Sequence, residues 1–160
     1  MCLVPRQRLD RQPRVTILAL AAVVLVLDAT SKNWARSHLA GHPRHLVGPL
    51  WLREQFNAGF SFSLNRSGPL VTTVLTVVVA AAVVAVAWRA RRGTPAVGFG
   101  LLIGGGGSNV VDRLLARPHR VTDFIAVGRL PVFNLADVAV TFGFIVLVVT
   151  TARGKKLLIR

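Results

Sequence analysis

Charged residues in this chain fall at the edges of long apolar runs. Thirteen uncharged positions separate Arg14 from Asp28, 22 separate Arg66 from Arg89, and 19 separate Arg92 from Asp112. A further 23 separate Arg129 from Arg153, interrupted only by Asp137. A helix crossing the hydrocarbon of a bilayer needs about 20 mostly apolar residues. Three runs meet that length, and the first meets it by continuing through Asp28 to Trp34. The pattern predicts an all-α membrane protein with four transmembrane helices, at about 15–34, 68–88, 94–112 and 131–152. They form a single integral membrane domain over 1–160, with two longer loops at 35–67 and 113–130. Val121-Thr122-Asp123-Phe124-Ile125 alternates like a strand, and His45-Leu46-Val47 and Phe60-Ser61-Phe62 are also β-favouring.

Composition sharpens this picture. The chain is 52% hydrophobic and 16% charged, yet carries a formal net charge of +14. A nucleic-acid binder would gather such charge into one basic stripe. Here the basic residues flank apolar runs, so no nucleic-acid partner is expected. Lysine and arginine are densest before residue 15, in 89–92 and after 152, which by the positive-inside rule places both termini in the cytoplasm. The two long loops then face outward. Trp34, Trp51 and Trp88 lie near span ends or in an outer loop, where interfacial anchors and simple packing residues are equally expected. The first run has the basic flank and apolar centre of a secretory signal. Three later spans and the charged ending Asp28-Ala29-Thr30-Ser31-Lys32 favour a retained helix. Cys2 is the only cysteine, so no disulfide within the chain is expected.

Ionisable groups inside spans are costly and mark function by default. At about 1.5 Å of rise per residue, Asp28 lies roughly 20 Å above the inner end of its helix. Asn109 and Asp112 lie near the outer end of the third helix, and Asn134 and Asp137 just below the outer start of the fourth. Three helices thus bring polar groups to one depth beneath both outer loops. Asp123 and Asp137, on different elements with Pro131 between them, form a candidate carboxyl pair. Two carboxyls sharing a site do not both ionise easily, which suits activation of a water. Read singly, the same residues are ordinary: Asp112-Arg113 is a helix end with a snorkelling arginine, Asn57-Ala58-Gly59 a turn, Gly104–Gly107 a close-packing surface. His38, His42 and His45 make a poor metal set, since Glu54 is the lone carboxylate in their loop. A proton-coupled exporter would place a carboxylate deep in the bundle between short loops, unlike this edge cluster.

Together these segments resemble signal peptidase II, the bacterial lipoprotein signal peptidase. The matching pieces are Asp28–Lys32, Phe56-Asn57-Ala58-Gly59-Phe60-Ser61-Phe62, Gly104 through Arg113, Val121–Phe124 and Phe133–Asp137, in family order. The resemblance implies an aspartic endopeptidase of the bacterial cytoplasmic membrane, with its active site at the outer leaflet boundary. It would cleave diacylglyceryl-modified prolipoproteins just before the lipid-bearing cysteine. It maps the catalytic dyad onto Asp123 and Asp137, and substrate-positioning residues onto Asn57, Asn109, Arg113 and Asn134. Asp28, Lys32 and Asp112 fall to supporting roles. A small β-rich cradle from the first outer loop, contact with membrane lipids and inhibition by globomycin are also implied, with no metal or organic cofactor. Two positions depart from the family: Ser108 stands where glycine is usual, with looser packing expected there, and Ser61 stands where alanine is preferred.

Overall fold

A computed structural model describes residues 11–57, 68–115 and 120–159. Helix α1 (Arg11–His38) leads into strands β1 (Arg44–Val47) and β2 (Leu50–Asn57). Helices α2 (Gly68–Ala87) and α3 (Thr94–Leu115) follow, then β3 (Val121–Val127) and α4 (Leu135–Ala152). All four predicted helices are present. α1 runs about one turn past its expected end, because nothing in Ala35–His38 breaks a helix and Leu39 still bonds back to Ala35. Among the described residues, three helices are long and apolar enough to cross a membrane, over Pro13–His38, Leu70–Ala87 and Leu135–Ala152. Their outward surfaces carry exposed valine, leucine, isoleucine and phenylalanine, among them Val23, Val78, Phe144 and Val148. Such faces suit lipid rather than water.

α3 is built differently, as the central post that packs mainly against α4 and α1. Its glycines let neighbouring backbones approach. A Cβ at Gly104 would stand 2.9 Å from the Ala21 Cα, and one at Gly100 2.9 Å from the Leu20 Cβ, both on α1. On the α4 side, a Cβ at Gly105 would press on the Ala136 carbonyl and stand 2.9 Å from a Val140 methyl. Gly143 of α4 would meet the Gly98 carbonyl at 2.8 Å. The expected glycine packing surface is therefore present at Gly104 and Gly105. Gly106 and Gly107 differ, having nothing within 4 Å of where a Cβ would lie.

The strands form one antiparallel sheet in the order β1-β2-β3. The cradle is thus not a product of the first outer loop alone, because its third strand comes from the second. Phe60-Ser61-Phe62, expected as a strand, lies outside the described residues. The sheet sits on the end of α1, where Ala35, Leu39 and Phe124 form a small core with Leu52, Ile125 and Leu135. The fourth helix starts at Leu135, later than the expected 131. Residues 131–133 are held extended instead, because Phe133 exchanges backbone hydrogen bonds of 2.8 and 3.0 Å with Ile125. Gly128, at φ 55°, makes the turn that allows this return.

Overpacking a close contact typically costs about 1–3 kcal/mol. Gly105→Ala is expected to lower the thermal midpoint in detergent by several degrees, whereas Gly106→Ala is expected to leave it unchanged or raise it slightly. Equal midpoints for the two variants would contradict the asymmetry.

Candidate active site

The polar residues singled out in the sequence meet where the sheet rests on the helix ends. Two local features bring Asp123 there. In the antiparallel ladder Asn57 pairs with Val121, so Asp123, two residues along β3, is its diagonal neighbour on the same face. Such neighbours are within reach of longer side chains, and Asn57 Nδ2 donates to Asp123 Oδ2 at 3.0 Å. The return of residues 131–133 along β3 then sets Asn134 beside Asp123, and Asn134 Nδ2 donates to Oδ1 at 2.6 Å. Asp123 is 1% exposed.

Asn134 is also the N-cap of α4. Its Oδ1 accepts from the Asp137 backbone N–H at 2.9 Å, and its own N–H donates to Asp137 Oδ2 at 3.3 Å. This reciprocal capping box satisfies two N–H groups that a helix start would otherwise leave open. It also fixes Asp137 one turn into α4. Asn109 of α3 completes the bridge by donating through Nδ2 to Asp137 Oδ1 at 2.9 Å. Asn134 Nδ2 lies 3.3 Å from Asn109 Oδ1. Two carboxylates on different elements are thus held through two asparagine side chains.

Behind them lies a buried ionic knot. Lys32 and Asp28 are wholly buried. Lys32 Nζ reaches Asp28 Oδ2 at 2.6 Å, Asp112 Oδ2 at 2.9 Å and Asn109 Oδ1 at 2.9 Å. Three oxygens from two helices thus surround one ammonium. Asp28 accepts two further bonds, from Ser108 Oγ at 2.7 Å and the Ala136 N–H at 2.8 Å. Arg113, 6% exposed, carries its charge near Asp137, Asp123 and Asp112. It is not a lipid-snorkelling side chain, nor is Asp112-Arg113 a simple helix end.

Burial, and then the nearby Asp137, push the Asp123 carboxyl up to about 6. Hydrogen bonds from Asn57 and Asn134 act the other way, favouring its charged form. The three loop histidines are not brought together: His38 Nδ1 faces the Trp34 carbonyl and His45 Nε2 the Gly48 carbonyl.

Every candidate site residue named from the sequence lies in this cluster: Asn57, Asn109, Arg113, Asp123, Asn134 and Asp137, with Asp28, Lys32 and Asp112 behind. The sequence reading missed two contributors. Ser108 is not a loose spot: it is 3% exposed and its Oγ donates to Asp28 Oδ2. Its signal was polarity directly before Asn109. Arg36 Nη1 donates to Thr122 Oγ1 at 3.1 Å, tying the end of α1 to β3 beside Asp123. No spacing rule pointed to that pair. Removing one partner of a buried charge pair typically costs about 3–5 kcal/mol, since the other charge stays buried. Lys32→Met is expected to lower thermal stability by that order. Adding Asp112→Asn is expected to recover part of the loss, measured by thermal unfolding in detergent.

The profile of the family described as Signal peptidase (SPase) II matches residues 20–153. The lipoprotein signal peptidase of Rhodococcus jostii (strain RHA1) is 36% identical over 156 residues, covering 94% of this chain and 79% of that protein. The lipoprotein signal peptidase of Mycobacterium avium (strain 104) is 38% identical over 160 residues, covering 94% and 85%. Among solved structures, a bacterial membrane enzyme determined by the in meso method at 2.3 Å resolution is similar in fold. It matches with a TM-score of 0.73 and 22% identity over 91% of this chain and 94% of that one. The chain belongs to the signal peptidase II family of membrane aspartic peptidases.

Proposed function

We propose that Asp123 and Asp137 are the catalytic pair with which this chain cleaves the signal peptide from diacylglyceryl-modified prolipoproteins, just before the lipid-bearing cysteine. The observation that carries the reading is where Asp137 stands. With Asn109 and Arg113 it forms the polar end of a cavity of about 410 Å³ between α2, α3 and α4. Apart from Thr76, the rest of that cavity is apolar, walled by Val79, Val83, Leu102, Ile103 and Val140 among others. A peptide carrying acyl chains needs both parts: an apolar slot for hydrocarbon and a polar end for the scissile bond. Cavities of this size are typical of ligand sites, about 300–1,000 Å³.

One carboxyl of the pair works ionised and the other protonated. The ionised carboxylate takes a proton from a bound water while the water oxygen bonds to the scissile carbonyl carbon. The protonated partner donates a hydrogen bond to the developing oxyanion and then a proton to the leaving nitrogen. The C–N bond breaks, leaving a carboxylate on the signal peptide and an amine on the lipid-bearing cysteine. Asn109 and Asn134 hold the carboxyls apart and aligned. Asn57 and Arg113 meet the substrate backbone or the oxyanion, and Asp28, Lys32 and Asp112 support from behind.

The same reading makes α3 the fourth membrane span and 11–159 part of one membrane domain. Both ends of the chain and the 88–93 turn then face the cytoplasm across the bacterial cytoplasmic membrane, with the sheet and the carboxyl pair at the outer leaflet boundary. The dense basic residues at 89–92 and 153–156 support that orientation. A globomycin-like cyclic peptide would compete for the polar end of the cavity.

Asp123→Asn and Asp137→Asn are each expected to leave an inserted protein of near-parental thermal midpoint. Cleavage of a diacylglyceryl-modified lipobox peptide should fall at least about a thousandfold, as for loss of a central catalytic group. Normal processing by either variant would sink the assignment. The raised Asp123 carboxyl sets the pH dependence: protonation as pH falls through about 6 removes the base, so kcat/KM rises with pH across that value. Asn57→Leu deletes a bond that favours the charged form, so its acid limb is expected at higher pH than the parent's.

A further inference from the structure

The opposite end of the bundle holds a second constructed site. After α4 the chain turns at Gly154, φ 70°, and returns as an extended tail. That tail pairs with the α2–α3 turn: Ala90 bridges Leu158, the Arg91 N–H donates to the Leu157 carbonyl at 2.8 Å, and the Ile159 N–H to the Arg89 carbonyl at 2.8 Å. Leu157 and Leu158 pack on the core formed by Ile17, Ala87, Ala90, Ala96, Phe99 and Leu147. Lys155 and Lys156 are therefore presented from a docked segment. With Arg91 and Arg92 they line a cavity of about 490 Å³ against the start of α3. Four cations converge there, and the described part of that cavity wall contains no acidic residue.

A second cavity, of about 290 Å³, adjoins the first, and Thr94 and Lys155 wall both. It runs along α4 past Ile145 and Val149, and its lining is almost wholly apolar. Cations beside a groove along a membrane-facing helix match one ligand chemistry: a phosphate on a hydrocarbon tail. We propose that this pair of cavities binds an anionic phospholipid of the cytoplasmic leaflet. Its phosphate would sit among Arg91, Arg92, Lys155 and Lys156, with an acyl chain lying along Ile145 and Val149. The start of α3, a 22-residue helix, adds its positive end to the same pocket. The site lies far from the carboxyl pair, since the 16 residues from Asp137 to Arg153 span about 24 Å. It rests on the orientation proposed above only for the leaflet from which the lipid comes.

The test uses the full chain purified in detergent, with lipid retention read by native mass spectrometry. Phosphatidylglycerol and phosphatidylcholine of identical acyl chains are compared, with inorganic phosphate as competitor. One phosphatidylglycerol per chain should be retained in preference to phosphatidylcholine. Lys155→Gln with Lys156→Gln should weaken retention on the order of thirtyfold, from about 1 kcal/mol per basic residue near a lipid surface. Val149→Trp, which fills the groove and removes no charge, should also weaken it. Both variants should still cleave a lipid-modified precursor. Equal retention of the two lipids by the parent chain overturns the proposal whether or not the variants fold. Displacement by millimolar phosphate overturns it in favour of a free-anion site. Leaflet is read separately, from the side on which a membrane-impermeant thiol reagent labels Lys156→Cys in a Cys2→Ser background. Labelling from outside would reverse the proposed orientation and overturn the cytoplasmic-leaflet assignment, even if phosphatidylglycerol still binds selectively.

Discussion

Lys32 brings a positive charge, wholly buried, to a point where α1, α3 and α4 meet. It pairs with Asp28, one turn earlier on α1, and with Asp112 on α3, and donates to Asn109 on α3. Asp28 in turn accepts from Ser108 of α3 and from the backbone of Ala136 on α4. A buried ion pair gains little over a well-packed apolar core, but breaking one is costly. The knot therefore acts less as a source of stability than as a lock on relative height. If α1 slid by one turn against α3, about 5.4 Å, the ammonium would keep Asp28 but lose Asn109 and Asp112. That lock decides where Asn109, and hence Asp137, stands.

The two asparagines convert this fixed height into fixed carboxylates. Asn109 presents Oδ1 to an ammonium and Nδ2 to a carboxylate, so only one orientation of its amide satisfies both neighbours. Asn134 is held the same way, with Oδ1 on the Asp137 N–H and Nδ2 on Asp123. An aspartate at either position would add charge and remove a donor. Charge counting fits a shared proton: four carboxyls, Asp28, Asp112, Asp123 and Asp137, face two cations, Lys32 and Arg113. Holding one proton on the Asp123/Asp137 pair leaves the buried group with a single net negative charge, against two without it.

Much of this was legible in the sequence because membranes punish stray polarity. The four helices followed from the spacing of charges, and the common depth of Asp28, Asn109 and Asp137 from the rise per residue. What stayed hidden depended on tertiary register. Nothing local announces that Phe133 will bond back to Ile125, so the start of α4 was read four residues early and Asn134 was not seen as its cap. β1 and β2 come from one loop and β3 from the other, and a strand-like pentapeptide does not name its partner. Ser108 was read as a packing flaw because its acceptor, Asp28, lies 80 positions away.

The four consecutive glycines of α3 show how one residue type meets opposite demands. Gly104 and Gly105 are required by contact, since α1 and α4 backbones occupy the space of a side chain. Gly106 and Gly107 are next in sequence but rotate onto the face toward α2, where they line the cavity that ends at Asp137. Only small residues leave both a tight seam and an open slot within two turns of one helix. α2 borders α3 across that slot with Val79, Ala80, Val83 and Val84, and the hydroxyl of Thr76 is turned back onto the Thr72 carbonyl, so α2 offers mainly hydrocarbon contact. The polar groups thereby gather at the α1–α3–α4 junction, and the path to them between α2 and α3 is mainly apolar. Filling the slot from Gly106 should impair binding of lipid-modified substrate without disturbing the ionic knot, because a Cβ there meets no atom within 4 Å.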